Sequence, residues 1–188
     1  MLAKTRSGKR AGQLQSELDA MVAEFAGATS YLEVGARYGD TLWDVAQALA
    51  PGAKIAVVDM PGDVWGNHDA GPVLAGVCAE LRAMGHTVEL IIGDSRNPAV
   101  IERARGVYDA CLIDADHRYE GVKADWLAYG PMCKRVAFHD IVGHGQRCGP
   151  GAYVEVPKLW AEIKKPGDLE IVSPGSKMGI GITRGGAE

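Results

Sequence analysis

Residues 111–121 read Cys-Leu-Ile-Asp-Ala-Asp-His-Arg-Tyr-Glu-Gly. An apolar run of strand type stops abruptly at two carboxylates, Asp114 and Asp116, and an imidazole, His117. Phe138-His139-Asp140 ends the next apolar run in the same way. Hard divalent cations prefer carboxylate oxygens, and Asp114, Asp116 and Asp140 would supply them from neighbouring strand ends. An imidazole with a reference pKa of about 6.5 can take a proton near neutral pH. Two adjacent strands that deliver such tips to one rim build a metal site or a proton-transfer site, and in open α/β sheets that rim is where ligands bind.

A second set of residues points to a nucleotide-type ligand. Glu33-Val34-Gly35-Ala36-Arg37-Tyr38-Gly39-Asp40-Thr41 joins an apolar run to a helical pattern. Glycines there allow a sharp turn and close approach of a ligand to the backbone, and a helix start offers unpaired N–H groups. The spacing is G-x-x-x-G, so the middle glycine that a pyrophosphate requires is missing. A ligand without a pyrophosphate fits better. Asp59, ending the next apolar run, is suited to accept hydrogen bonds from both hydroxyls of a ribose. Gly93-Asp94-Ser95 ends the third and would hold an adenine amino group; a helix cap is the alternative reading of Asp94.

These residues need a frame of strands and helices. Leu14, Leu18, Met21, Val22 and Phe25 recur at helical spacing and predict a leading amphipathic helix. Strands are predicted at Tyr31–Val34, Ile55–Val58, Val88–Ile92, Tyr108–Ile113 and Val136–Phe138. Helices are predicted at Thr41–Leu49 with Asp40 as cap, at Val73–Met84, after Pro98, through Trp126, and at Pro157–Lys164. Leu169–Val172 and Gly179–Thr183 read as closing strands joined by a tight turn at Pro174-Gly175-Ser176. The alternation implies an α/β fold: a Rossmann-like, mostly parallel seven-stranded sheet, helices on both faces, and an antiparallel C-terminal hairpin. The domain reading is an N-terminal helical extension over 1–29 and a single domain over 30–188. Residues 60–72, with Trp65 and His68, and 141–153, with His144 and Tyr153, read as loops that cover an acceptor or as plain surface loops.

At this point the chain resembles the class I S-adenosylmethionine-dependent methyltransferases. More narrowly, it is similar to the O-methyltransferase group of macrocin- and mycinamicin-type enzymes and cephalosporin-hydroxylase-like proteins. The resemblance spans residues 30–183. It rests on E-V-G-A-R-Y-G-D-T, I-D-A-D-H-R-Y-E-G-V-K-A-D-W, F-H-D-I, V-P-K-L-W and M-G-I-G-I. It implies that Glu33, Gly35, Ala36, Gly39 and Thr41 hold the methionine part of the cofactor. Asp59 and Met60 would hold the ribose, Gly93, Asp94 and Ser95 the adenine, and Asp114 would close the site. It further implies a divalent cation on Asp114 and Asp140, with His139 where relatives carry an acid, and His117 as base. Imidazole is a poor magnesium ligand and suits manganese, zinc or iron. The resemblance therefore implies an enzyme that methylates a hydroxyl of a small molecule, a sugar or a natural product, with metal assistance. A metal-independent methyltransferase using His117, and a non-catalytic nucleotide- or glycan-binding module, stay open. A structural His117 bonded to a loop carbonyl also stays open.

Composition narrows the partners. The chain has 188 residues, 47% hydrophobic and 23% charged, and a net charge of −4. That suits one core and argues against broad capture of nucleic acid, which needs a basic footprint. The basic N-terminus (Lys4, Arg6, Lys9, Arg10) reads as a solvated, frayed end. No apolar run is long enough to span a bilayer. Cys78, Cys111 and Cys133 fall in apolar segments, and Cys148 in a glycine-rich loop. With no C-x-x-C pair among them, a reduced, cytoplasmic protein is the expectation. The leading helix offers a face to a second copy, so a homo-oligomer is an open expectation.

Overall fold

A computed structural model describes residues 1–3, 5–8, 12–62, 68–149 and 151–187. Trp65 of the long loop, and Lys4, Lys9 and Arg10 of the basic terminus, lie outside the described residues. Helix α1 (Gln15–Phe25) leads. It is followed by β1 (Ser30–Val34), α2 (Asp40–Ala48), β2 (Lys54–Asp59), α3 (Ala70–Ala83), β3 (Thr87–Ile92), α4 (Pro98–Arg103), β4 (Tyr108–Ile113) and α5 (Tyr119–Tyr129). A 3-10 turn at Gly130–Met132 leads into β5 (Cys133–His139). A small hairpin, β6 (Arg147–Gly149) and β7 (Ala152–Tyr153), precedes α6 (Val156–Ile163), β8 (Leu169–Ile171) and β9 (Ile180–Arg184).

Seven strands form one sheet in the order β3-β2-β1-β4-β5-β9-β8. Strands β1 to β5 pair in parallel, and β9 runs antiparallel to both β5 and β8. This is the Rossmann-like sheet with a C-terminal antiparallel pair that the alternating pattern predicts. Strand side chains alternate between faces. Ile55 and Val57 enter one core with Leu18, Leu42 and Leu74 of α1, α2 and α3. Ala56 and Val58 enter the other with Val100, Val122 and Leu159 of α4, α5 and α6. Trp160 is buried there, and Trp126 packs edge-on to Phe138 at 5.6 Å. The strand order reverses between β1 and β4, which opens a crevice at their carboxyl ends.

The structure departs from several expectations. Leu18, Met21 and Phe25 of α1 belong to the same core cluster as the sheet. Glu17 of α1 is fully buried and accepts the N–H groups of Ser173 (2.8 Å) and Gly179 (3.3 Å). The β8–β9 hairpin itself is as predicted: the strands pair antiparallel, and Ser176 N–H to Ser173 O at 2.8 Å closes the turn at Pro174–Ser176. Asp40 is the first residue of α2, not its cap; the cap position is Gly39 in the left-handed region. The Asp40 carboxylate accepts from Ser7 instead, N–H at 2.8 Å and hydroxyl at 2.6 Å. Arg6 is no frayed end either, since it pairs with Glu80 and lies 4.0 Å over the Trp43 ring. Cys78, Cys111 and Cys133 are buried free thiols, as predicted, and Cys148 is partly exposed. No helix among the described residues is long and apolar enough to cross a membrane.

Candidate functional site

The crevice holds two adjoining cavities, of about 240 and 190 Å³. Gly35, Arg37, Asp114 and His117 line both, so they form one cleft with two lobes. Its floor is the meeting of β1 and β4. Asp114 N–H donates to Val34 O at 2.8 Å, and Gly35 N–H to Val58 O at 2.8 Å. At Gly35, with φ +90°, a Cβ would sit 2.5 Å from both the Ala115 Cα and the Asp114 carbonyl oxygen. Only glycine lets the two strand tips come this close.

The first lobe is lined by two of the predicted strand tips: Asp59 with Met60, and Gly93 with Asp94 and Ser95. Asp59 Oδ2 accepts the Arg37 N–H at 2.7 Å. Arg37 (φ +52°) and Asp140 (φ +61°) are the two described non-glycine residues in the left-handed region, and both line the cleft. Such backbone is retained where the surroundings impose it, often at sites that bind. Asp94 does not cap α4, because Asn97 does so by accepting the Ala99 N–H at 2.9 Å. Asp94 instead forks with Arg96, at 3.0 and 2.9 Å, and those bonds hold its carboxyl below the usual range. Asp116, which sequence reasoning leaves without a role, does the same with Arg118 at 2.9 and 2.6 Å. Burial opposes its ionisation, but Arg118 outweighs burial and keeps the carboxyl low. Gly121 leaves the space: a Cβ there would overlap the Asp116 carboxylate. Arg96, Arg118 and Cys148 complete the lobe and carry no sequence signal that marks them.

Beneath Ser95 lies Asp125 of α5, 1% exposed, with both carboxylate oxygens lacking a well-formed hydrogen bond among the described residues. Burial pushes its carboxyl up to about 6, and Ser95 offsets this only in part. A carboxyl raised in the fold above its unfolded value weakens the fold as pH climbs from about 4 through about 6. An Asp125→Asn variant is therefore expected to unfold at higher temperature than the parent at pH 7.5. The gain is about 3 kcal/mol, at about 1.4 kcal/mol per pKa unit, and it vanishes near pH 4. Equal melting temperatures at pH 7.5 would exclude a buried charge at this position.

The second lobe carries the remaining groups. Asp114, His117 and Asp140 bring one ligand atom each within 4.8 Å of one another. His117 Nδ1 lies 2.9 Å from Asp140 Oδ2, so His117 bonds a carboxylate and not a loop carbonyl through this nitrogen. Burial favours the neutral ring, but Asp140 and Asp114 outweigh it and raise the His117 pKa. His139 is not part of this three-residue group. It is 4% exposed, with Nδ1 at 3.2 Å from Asp114 and 3.6 Å from Asp140. The Asp114 oxygen it faces still lacks a hydrogen bond of good angle, so that contact is chiefly electrostatic. Burial alone would lower the His139 pKa, yet the two carboxylates drive it to about 9. His139 lines this lobe as well, but the group that converges is Asp114, His117 and Asp140.

Glu33, Ala36 and Thr41 line this lobe too. Glu33 is 1% exposed; Tyr31 donates to its Oε2 at 2.7 Å, while Oε1 has no partner among the described residues. Burial raises its carboxyl to about 8, against the Tyr31 bond. Gly39 lines neither lobe; a Cβ there would meet Leu74 and Val77, so packing dictates it. His68, His144 and Tyr153 are exposed and also line neither. Gln13 is a wall residue that sequence reading passes over, because it precedes the first periodic segment.

No family model and no curated protein matches the chain by sequence. Solved structures share its fold. An O-methyltransferase family protein from Burkholderia thailandensis aligns with a TM-score of 0.65 at 14% identity, over 90% of this chain and 55% of that one. The O-methyltransferase TomG from Streptomyces achromogenes, involved in tomaymycin synthesis and in complex with SAM, aligns with a TM-score of 0.62 at 15% identity, over 91% and 79%. The O-methyltransferase from Bacillus cereus in complex with SAH gives 0.60 at 18% identity, over 89% and 78%. The chain spans about half the length of the Burkholderia protein. At these identities the likeness is one of fold, and the fold is that of the Rossmann-like methyltransferases.

Proposed function

We propose that this chain is an S-adenosylmethionine-dependent O-methyltransferase acting on a hydroxyl of a small molecule, a sugar or a natural product, with a divalent cation assisting. The observation that carries the reading is the junction of the two lobes. A slot lined by Asp59 and Asp94 opens directly onto the Asp114–His117–Asp140 group. The fold likeness supports it, since two of the neighbours named above hold SAM or SAH. The motifs that resemble the macrocin- and mycinamicin-type group favour a sugar hydroxyl as acceptor.

In this reading Asp59 accepts from the ribose, Asp94 and Ser95 face the adenine, and Glu33 faces the methionine ammonium. The donor set fits a cation: two carboxylates and an imidazole within 4.8 Å, with a buried Asp114 oxygen lacking a hydrogen bond. One imidazole among the ligands favours manganese, iron or zinc over magnesium. Bound there, a cation would lower the pKa of the acceptor hydroxyl and orient it. The chain itself aligns the two reactants and excludes water.

A second reading dispenses with the metal. The 2.9 Å contact between His117 Nδ1 and Asp140 Oδ2 ties two residues of the group to each other. It also sets the tautomer, with the proton on Nδ1 and the accepting lone pair on Nε2. His117 then takes the hydroxyl proton directly. With Nδ1 engaged by Asp140, the ring has only Nε2 left, which either ligates a cation or takes the proton. Calorimetry and chelation test them in order. The protein is expected to bind S-adenosylmethionine and S-adenosylhomocysteine at micromolar concentration; failure to bind either below millimolar would leave a non-catalytic module. Exhaustive dialysis against a chelator is expected to abolish transfer, with manganese restoring it. Unchanged turnover in stripped protein would establish the metal-independent route.

A further inference from the structure

We propose that Gln13 binds the carboxylate of the cofactor's methionine half, which makes the N-terminal segment a wall of the cofactor site. The inference rests on the methyltransferase reading above. It begins with a segment that sequence pattern would leave trailing in solvent. Leu2 bridges to Leu14, and the Ala3 N–H donates to Gln13 O at 2.9 Å. Ser7 holds the Asp40 carboxylate at the start of α2 through two hydrogen bonds. Arg6 stacks over Trp43, one turn further along the same helix. The segment is therefore fastened to α2 at several points, and it carries Gln13 into the wall of the second lobe.

Gln13 is 4% exposed, and its amide has half a partner. The Thr41 hydroxyl reaches Gln13 Oε1 in a long contact of 3.4 Å, while Nε2 has no hydrogen bond among the described residues. A buried donor left unpaired costs about 1–3 kcal/mol. A donor so placed on a cavity wall matches an acceptor that arrives with a ligand. The neighbouring groups indicate the charge of that acceptor. Thr41 lies in the first turn of α2, where N–H groups point outward and negative charge is favoured. Asp40, in the same turn, is already engaged by Ser7. Asp44, also on this wall, is shifted toward its neutral form by burial and by Asp40 and Asp19. In the same lobe, Glu33 Oε1 is buried and without a partner among the described residues, a place for a cation. One lobe thus offers an anion-accepting end and a cation-accepting end. That is the complement of an α-amino acid zwitterion, which the methionine half carries and the acceptor hydroxyl does not.

The test uses two ligands that differ in this half alone. S-adenosylhomocysteine keeps the amino acid; 5′-methylthioadenosine lacks it. By calorimetry on the full chain, Gln13→Leu is expected to weaken S-adenosylhomocysteine about tenfold, the loss of one hydrogen bond to a charged group. Binding of 5′-methylthioadenosine should stay within about twofold on the same basis. Gln13→Glu should weaken S-adenosylhomocysteine further by repulsion, again sparing the truncated ligand. Equal affinity of parent and variants for S-adenosylhomocysteine would overturn the inference alone, as would equal losses for both ligands with a lowered melting temperature. Failure of the parent to bind S-adenosylhomocysteine at all would overturn the methyltransferase reading with it. If neither variant folds, the Gln13 side-chain amide resonances of the parent decide. They should shift with S-adenosylhomocysteine and stay in place with 5′-methylthioadenosine; equal shifts would overturn the assignment.

Discussion

Replacing His117 with alanine is expected to slow methyl transfer by about 10²- to 10⁴-fold, the usual worth of a positioned acid–base group. That is about 3–5 kcal/mol in the barrier. Affinity for S-adenosylhomocysteine should stay within about threefold, because the ring borders the cofactor lobe through contact and not through a charge that the cofactor needs. The geometry explains why the effect should be large. His117 is the described residue that lines both lobes and also contacts Asp140, at 2.9 Å. It stands at the junction where a methyl donor and a hydroxyl acceptor would meet. His117→Gln separates the remaining possibilities. Glutamine can still donate to Asp140 but cannot take a proton at neutral pH, so a base predicts the same loss as alanine. If His117 is a metal ligand, manganese affinity falls in parallel with rate and excess manganese recovers part of the activity. If it is the base, added manganese recovers nothing. A variant with undiminished turnover would remove His117 from the chemistry altogether.

The features legible in the sequence were those encoded over a few neighbouring residues. Apolar runs that stop at Asp59, Asp94, Asp114 and Asp140 mark strand tips, since a buried parallel strand needs apolar side chains until it leaves the sheet. Alternation of such runs with helical patterns was enough for the parallel sheet with helices on both faces, but not for the strand order or its reversal at β1 and β4. Exchange of partners within the site was not legible. His139 and Asp140 are adjacent, and in a regular strand they would point to opposite faces. Asp140 adopts φ +61°, which breaks that rule and turns its carboxylate to His117 while His139 stays buried. A left-handed aspartate leaves no trace in spacing. The N-terminal segment was illegible for a different reason. Its order comes from contacts across the chain, Ser7 to Asp40 and Arg6 to Trp43, and none of these produces periodicity. Glu17 is similar: a charged residue on an amphipathic helix reads as solvent-facing until the backbone it serves, at Ser173 and Gly179, is known.

Gly35→Ala is expected to be the most damaging single methyl group that can be added to the cleft. Two costs act together. The backbone is at φ +90°, outside what an L-residue adopts easily, and left-handed geometry alone costs about 1–2 kcal/mol. The new Cβ would also lie 2.5 Å from the Ala115 Cα and the Asp114 carbonyl oxygen. These are backbone atoms at the tip of β4, which pairs with β1 through Val34 and Ile113. They cannot rotate away as a side chain can, so relief requires the two strand tips to separate. Overpacking of this kind adds about 1–3 kcal/mol. The total, about 2–5 kcal/mol, is a large share of the 5–15 kcal/mol that holds a typical domain together. Gly39→Ala is the matched control. It has similar positive φ, +79°, but its Cβ would meet the ends of Leu74 and Val77 at 3.1–3.3 Å, and side chains can yield. The backbone cost is shared, so the difference between the two variants measures the strand-tip clash. Gly35→Ala should melt several degrees below Gly39→Ala, at about 2–4 °C per kcal/mol for a chain of this size. It should also lose most of its affinity for S-adenosylhomocysteine, because parting the strand tips moves Asp114 and the Arg37–Asp59 contact together. Equal melting temperatures for the two variants would mean that the tips of β1 and β4 do not approach as closely as this geometry requires.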